Sequence, residues 1–231
     1  MIAIPATIDG NVRRKYIESD LGFDTASKVY SQLIGNMMTD AASAVKYWYF
    51  IRLMGKDPSH LALECALQTE PNMVIVSEDC AMRGEALPKI VENICDLIAE
   101  RAALKKNFGT ILIPEGLLSH LPHLKQLIEE LNEIFKNMGR QEAEQYSAKL
   151  VKNPDLIREQ LSPWSAAIFN TLPDFTKKQF LMERDERGAM QLSQIETERL
   201  LAHMVGERLA KRKKEGTFKG AYAPVNHFFG Y

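Results

Sequence analysis

The chain has 231 residues, 45% of them hydrophobic, enough to bury a sizeable core as one large domain or a domain with an insert. Its 29 Lys and Arg balance 30 Asp and Glu, so a net charge of −1 gives no field that would hold nucleic acid or an anionic membrane. No stretch approaches the roughly 18 consecutive apolar residues of a membrane span, and the N-terminus lacks the pattern of a secretion signal, so a cytoplasmic protein is expected.

The opening run Met1-Ile2-Ala3-Ile4-Pro5 reads as a buried strand that breaks at Thr7-Ile8-Asp9-Gly10-Asn11. From Phe23 to Ala44, apolar residues recur every three or four positions (Ala26, Val29, Tyr30, Leu33, Ile34, Met37, Met38), the period of a helix, with Asp24 and Thr25 able to cap its start. Trp48 to Met54 is aromatic and branched and stops at Gly55, as a second buried strand would. Pro58-Ser59 then starts a helix through Leu61, Leu63, Ala66 and Leu67.

Residues 72–76 form a third expected strand, Leu87 to Leu104 a long helix, and Gly109 to Pro114 a fourth strand. This alternation predicts an α/β fold with a mainly parallel sheet flanked by helices. In such sheets ligands bind beyond the carboxyl ends of the strands. The loops there are Thr7-Ile8-Asp9-Gly10, Met54-Gly55-Lys56, Ser77-Glu78-Asp79 and Pro114-Glu115-Gly116.

After Gly116 the character changes to charged helical segments, Leu121 to Met138 and Glu142 to Leu150, punctuated by Pro154, Pro163 and Pro173. Gln194 to Lys214 is a further amphipathic helix whose last cations suit the negative helix end or, less readily, an anion. The expected organisation is therefore residues 1–118 as the α/β portion, 119–190 as an α-helical insertion, and 191–231 as a return helix with a truncated aromatic segment. Both ends read as cut.

Cys65, Cys80 and Cys95 lack CxxC spacing and sit among apolar residues, so they are expected to pack as free thiols. The five histidines, His60, His120, His123, His203 and His227, show no zinc-ligand spacing. Among the strand-end residues, Asp9 reads either as a general base for a hydroxyl or as a turn residue bonding its own backbone. Met54-Gly55-Lys56 suits either a grip on phosphate or an ordinary exit turn, and Glu115 either sugar hydroxyls or a cap. Together they offer a base, a cation and a carboxylate on one sheet edge, as a polyol-phosphate site requires.

The ordered segments Pro5 to Gly10, Gly22-Phe23-Asp24-Thr25, Lys46-Tyr47, Ile51 to Gly55, Ser59 to Leu67, Ile113 to Leu117, Gln191 to Glu198, Lys214 to Gly220 and His227 to Tyr231 resemble the long type of pyrophosphate-dependent phosphofructokinase. The resemblance spans nearly the whole length. It implies a phosphofructokinase-like fold and transfer of a phosphoryl group from pyrophosphate (diphosphate) to the 1-hydroxyl of fructose 6-phosphate, with Mg2+, in glycolysis. It also implies that Asp9 accepts the hydroxyl proton and that Thr7 and Ile8 belong to the same substrate loop. Met54, Gly55 and Lys56 would hold the sugar phosphate, and Glu115 its hydroxyls.

Lys46 and Tyr47 match a pair that reaches the neighbouring subunit's substrate, implying a homodimer, and Tyr231 begins a substrate motif. The donor and metal loop of the family would lie upstream of Met1, so no metal ligand is expected here and the piece alone is expected to be inactive. Three positions depart from the family: Ala6 replaces Lys, Asn11 replaces Asp, and Lys56 replaces Arg. Ala6, which removes a residue that favours pyrophosphate in the family, leaves ATP as a minor alternative donor. The three departures also leave a second function open, a non-catalytic or regulatory paralogue that binds sugar phosphate and pairs with an active subunit.

Overall fold

The computed structural model describes residues 4–12, 14–18, 21–56, 58–136, 140–153, 155–182 and 190–230. Within it the chain forms two compact units, one of residues 1–117 with 197–231 and one of residues 118–196.

The first unit is built on a four-stranded sheet. Strands β3 (Trp48–Leu53) and β5 (Gly109–Pro114) are buried at every position, which explains their unbroken apolar sequence. β4 (Met73–Val74) flanks β5, and β6 (Pro224–Phe229) flanks β3, giving the order β4-β5-β3-β6. Every pairing in this sheet is parallel, as the alternation of strands and helices predicts, so the carboxyl ends of all four strands share one edge. A separate pair, β1 (Ala6–Thr7) and β2 (Leu21–Gly22), is also parallel.

Alternate side chains of β3 serve opposite faces of the sheet. Tyr49, Ile51 and Leu53 pack with Tyr30, Ile34 and Ala41 of helix α1 (Phe23–Ala44) and with Leu61, Ala62 and Cys65 of α2 (His60–Thr69). On the other face, Phe50 meets Tyr222 edge to face, and Arg52 lies in a buried ion pair with Glu198, its Nε 2.7 Å from Oε2. Glu198 belongs to α11 (Thr197–Lys214), which packs against α4 (Leu87–Ala103).

The α11–α4 contact carries an ionic clasp. Arg208 Nε donates to Glu92 at 2.7 Å, and Arg212 donates to both Glu92 and Asp96. The cations at the end of α11 are thus not simply a solvated helix terminus, because Arg212 is turned inward and only 13% exposed.

Several local expectations change. Ile4 is 72% exposed and, like Pro5, outside any strand, so these two do not belong to the buried strand expected there, and the rest of that expectation, residues 1–3, lies outside the described residues. Neither Asp24 nor Thr25 caps α1, whose N-cap is Gly22; Asp24 sits in the first turn and pairs with Lys28 at 2.7 Å instead. Strand β4 is shorter than residues 72–76, and Ser77-Glu78-Asp79 is no loop, because helix α3 (Ser77–Met82) begins there. The last helix starts at Thr197 rather than Gln194, after a 3-10 turn at Leu192–Gln194. The terminal aromatic segment is the edge strand β6.

The second unit is helical: α6 (Pro122–Lys136), α7 (Arg140–Lys152), α8 (Asp155–Arg158), α9 (Pro163–Thr171) and α10 (Asp174–Met182) follow the short α5 (Leu117–His120). α6 packs on α9 and α7 on α10. Leu124, Leu127, Ile128, Leu131 and Phe135 of α6 recur at helical spacing and are buried, while Lys125, Glu129, Glu133 and Lys136 lie between them. Ser162 caps α9 by accepting from Ser165 N, and both its own N–H and Oγ–H are held by the Glu130 carboxylate. No helix among the described residues is long and apolar enough to cross a membrane.

Candidate active site

The shared edge of the parallel sheet brings three of the expected loops together. The chain leaves β3 through Met54, whose N–H donates to Phe229 O at 3.0 Å, and then turns at Gly55 with φ +144°. An L side chain is strained there, so glycine is required by conformation. Glu115 leaves the adjacent β5 with its N–H on Leu53 O at 3.1 Å. Glu115 is 4% exposed, and its Oε2 accepts the Gly55 N–H at 2.9 Å, so a buried carboxyl group fixes the neighbouring loop.

Asp9 reaches the same place from the β1 side. A Cβ built on Gly55 would lie 3.6 Å from Asp9 Oδ1, which puts the carboxylate directly over the bare glycine backbone. Oδ1 is buried and has no hydrogen-bond partner among the described residues. Carboxylate oxygens shielded from water normally have a donor, so this one is open to a hydrogen bond from outside the described residues.

The Asp9 backbone is held on both sides. Its N–H donates to Thr7 Oγ1 at 3.1 Å, and its carbonyl oxygen lies 3.2 Å from His60 Nδ1. A cleft of about 560 Å³ opens beside this loop, lined by Gly10, Asn11, Phe23, His60, Leu63 and Leu67 among others. Ile8 is half-buried between Thr7 and Asp9. Lys56 is exposed at the end of the Gly55 turn.

Residues 1–149 match the family described as Phosphofructokinase. The chain belongs to that family. Among its relatives, pyrophosphate--fructose 6-phosphate 1-phosphotransferase of Treponema pallidum is 48% identical over the whole of this chain and 40% of its own length. The protein of the same name from Porphyromonas gingivalis is 45% identical over the whole chain and 42% of its own length. The subunit alpha protein of Solanum tuberosum is 45% identical over the whole chain and 36% of its length. This phosphofructokinase-family chain thus spans about two-fifths of these relatives.

Not every predicted site residue meets the others. Lys46 and Tyr47 precede β3 and so lie at the opposite edge of the sheet from Gly55, separated by a strand of roughly 17 Å. There Lys46 Nζ stands 4.8 Å from the Tyr47 ring, and Tyr47 stacks edge to face on Tyr49. Tyr49 donates to Asp40, and burial, reinforced by that carboxylate, pushes its hydroxyl up to about 12. Tyr231 lies outside the described residues.

The three thiols are buried and free. Burial pushes Cys65 and Cys80 up to about 11 and Cys95 to about 12, which keeps them as unreactive thiols. No group of three His, Cys, Asp or Glu among the described residues is arranged to hold a metal.

His60 shows no metal-ligand spacing in the sequence, yet it contacts the Asp9 loop. The available signal was its place as the first residue of α2, on the segment leaving the Gly55 turn.

Proposed function

We propose that this chain supplies the sugar-phosphate side of a phosphotransferase site that converts fructose 6-phosphate and pyrophosphate to fructose 1,6-bisphosphate and phosphate. The observation that carries the reading is the uncommitted Asp9 oxygen, placed over the same Gly55 whose N–H Glu115 accepts. Its support is the family and the names of the relatives.

In this reading Asp9 takes the proton of the sugar 1-hydroxyl as that oxygen attacks a pyrophosphate phosphorus. The new P–O bond forms on the sugar, the bridging P–O bond breaks, and inorganic phosphate leaves. Thr7 and Ile8 shape the loop, Met54, Gly55 and Lys56 receive the sugar phosphate, and Glu115 combines a fixed Gly55 turn with hydrogen bonding to sugar hydroxyls. Lys46 and Tyr47, on the far edge, serve a second copy's site in a homodimer, and Tyr231 continues the substrate surface. The setting is cytoplasmic glycolysis.

Mg2+ accompanies the pyrophosphate in this reading. Among the described residues no group of three His, Cys, Asp or Glu is arranged to hold the ion by itself.

Ala6, Asn11 and Lys56 favour a second reading, a sugar-phosphate-binding paralogue that pairs with an active subunit. Ala6 lies three residues before Asp9 and brings no charge to a reaction whose barrier depends on electrostatics, a loss of about 3 kcal/mol for one missing stabilising group. Phosphorus-31 NMR of the protein at its full natural length, with fructose 6-phosphate and either pyrophosphate or ATP, separates the two. Formation of fructose 1,6-bisphosphate with pyrophosphate supports the enzyme, formation with ATP changes the donor, and sugar-phosphate binding without turnover favours the paralogue.

A further inference from the structure

We infer that His60 is a positioning residue for Asp9, acting through one hydrogen bond from Nδ1–H to the Asp9 backbone carbonyl. The inference rests on the phosphotransferase reading, in which Asp9 is the base. His60 Nδ1 lies 3.2 Å from Asp9 O. A carbonyl oxygen only accepts, so the contact requires the proton on Nδ1, and in the neutral ring Nε2 is then the acceptor nitrogen.

His60 is itself firmly placed, although its ring borders the open cleft. It is the first residue of α2, and the residue before it, Ser59, is 2% exposed. Ser59 N–H donates to Glu78 Oε1 at 2.8 Å, and Ser59 Oγ accepts from Ser77 N at 2.9 Å. The start of α2 is thereby fastened to the start of α3, across the sheet edge that carries Gly55 and Glu115. His60 transmits that fixed position to a loop with little regular structure of its own, since β1 is only two residues long.

The geometry at Asp9 shows what the bond accomplishes. Thr7 Oγ1 takes the Asp9 N–H and His60 takes the carbonyl, so both peptide groups around Asp9 are fixed while the carboxylate is left for chemistry. Gly10 follows at φ +66°, and a Cβ there would lie 3.0 Å from the Phe23 ring and 3.6 Å from His60 Nδ1. The loop therefore passes closely between the first turns of α1 and α2. Without the His60 bond the Asp9 carbonyl is free to rotate towards the cleft, carrying the carboxylate off the sugar hydroxyl.

Two amides distinguish this role from general packing. In His60→Asn the amide nitrogen occupies the place of Nδ1, whereas in His60→Gln it occupies the place of Nε2. At the protein's full natural length, His60→Leu and His60→Gln are expected to lower kcat by roughly 10- to 100-fold, with the KM for fructose 6-phosphate within about twofold, as for a misplaced catalytic group. His60→Asn is expected to keep kcat within about threefold of the unchanged protein, with all three variants checked for an unchanged far-ultraviolet circular dichroism spectrum.

Nitrogen-15 NMR of the unchanged chain supplies a readout that needs no turnover, and a pyrrole-type Nδ1 in His60 is expected. Turnover with His60→Leu equal to the unchanged protein, Asn failing as Leu does, a rise confined to KM, or an Nε2–H tautomer overturns the inference while leaving the function intact. Absence of turnover in the unchanged protein instead overturns the phosphotransferase reading and the positioning role with it, whatever the tautomer.

Discussion

Asp9 and Gly55 meet where two strand exits of unrelated sequence position converge, with Asp9 Oδ1 only 3.6 Å from the point a Gly55 side chain would occupy. The pairing couples a conformational requirement to a chemical one. Gly55 has to be glycine for its φ of +144°, and the same missing side chain leaves the space above the turn to the carboxylate.

Gly55→Ala is therefore expected to act twice. Strain at a glycine-specific φ costs about 1–3 kcal/mol of stability, read from the urea midpoint. Because the turn also carries the N–H held by Glu115, affinity for fructose 6-phosphate in calorimetry falls by more than the stability loss alone explains. An alanine variant with unchanged midpoint and affinity contradicts the strained geometry.

The Arg52–Glu198 pair predicts a marked asymmetry between single and double substitution. Both side chains are nearly inaccessible, and the Arg52 guanidinium also lies 3.8 Å from the Phe228 ring centre. Arg52→Met alone strands a buried carboxylate and is expected to cost about 3–5 kcal/mol in urea unfolding. Arg52→Met combined with Glu198→Leu removes both charges and is expected to recover most of that loss. Additive losses in the double variant count against a coupled buried pair.

The clasp between α4 and α11 sets a pH dependence with a definite sign. Hydrogen bonds from Arg208 and then Arg212 hold the Glu92 carboxyl down at about 2. A depressed carboxyl stabilises the fold above its ordinary value near 4.5 and loses that contribution as pH falls towards 2. Urea midpoints are expected to drop between about pH 4.5 and 2 in the unchanged chain and to drop less in Glu92→Gln. Equal acid sensitivity of the two would remove Glu92 from the account.

Much of the sheet was legible because burial on both faces leaves an uninterrupted apolar run, and β5 spans the residues its sequence indicates. Helix α1 was legible for the opposite reason, since its one-sided burial imposes a helical period. Gly55 and Glu115 followed from strand exits in a parallel sheet. The six-residue α3 was missed because so short a helix shows no period, and Ile4 because apolar character does not by itself mean burial.

Long-range contacts were out of reach. His60 is 51 residues from Asp9, and Arg212 is 120 residues from Glu92, so neither partnership has a local signature. Local sequence reads Asp9 as a turn residue or a base. Its uncommitted oxygen beside Gly55 is a tertiary fact, available only once the two loops are seen together.

The most direct test of the central claim is pyrophosphate-dependent turnover of fructose 6-phosphate by the protein at its full natural length, compared with its Asp9→Asn variant. Asn keeps the shape of the side chain and removes its basicity, so kcat is expected to fall by about 10²- to 10⁴-fold while fructose 6-phosphate still binds. An Asp9→Asn variant that turns over as fast as the unchanged protein would contradict the role of Asp9 as the base.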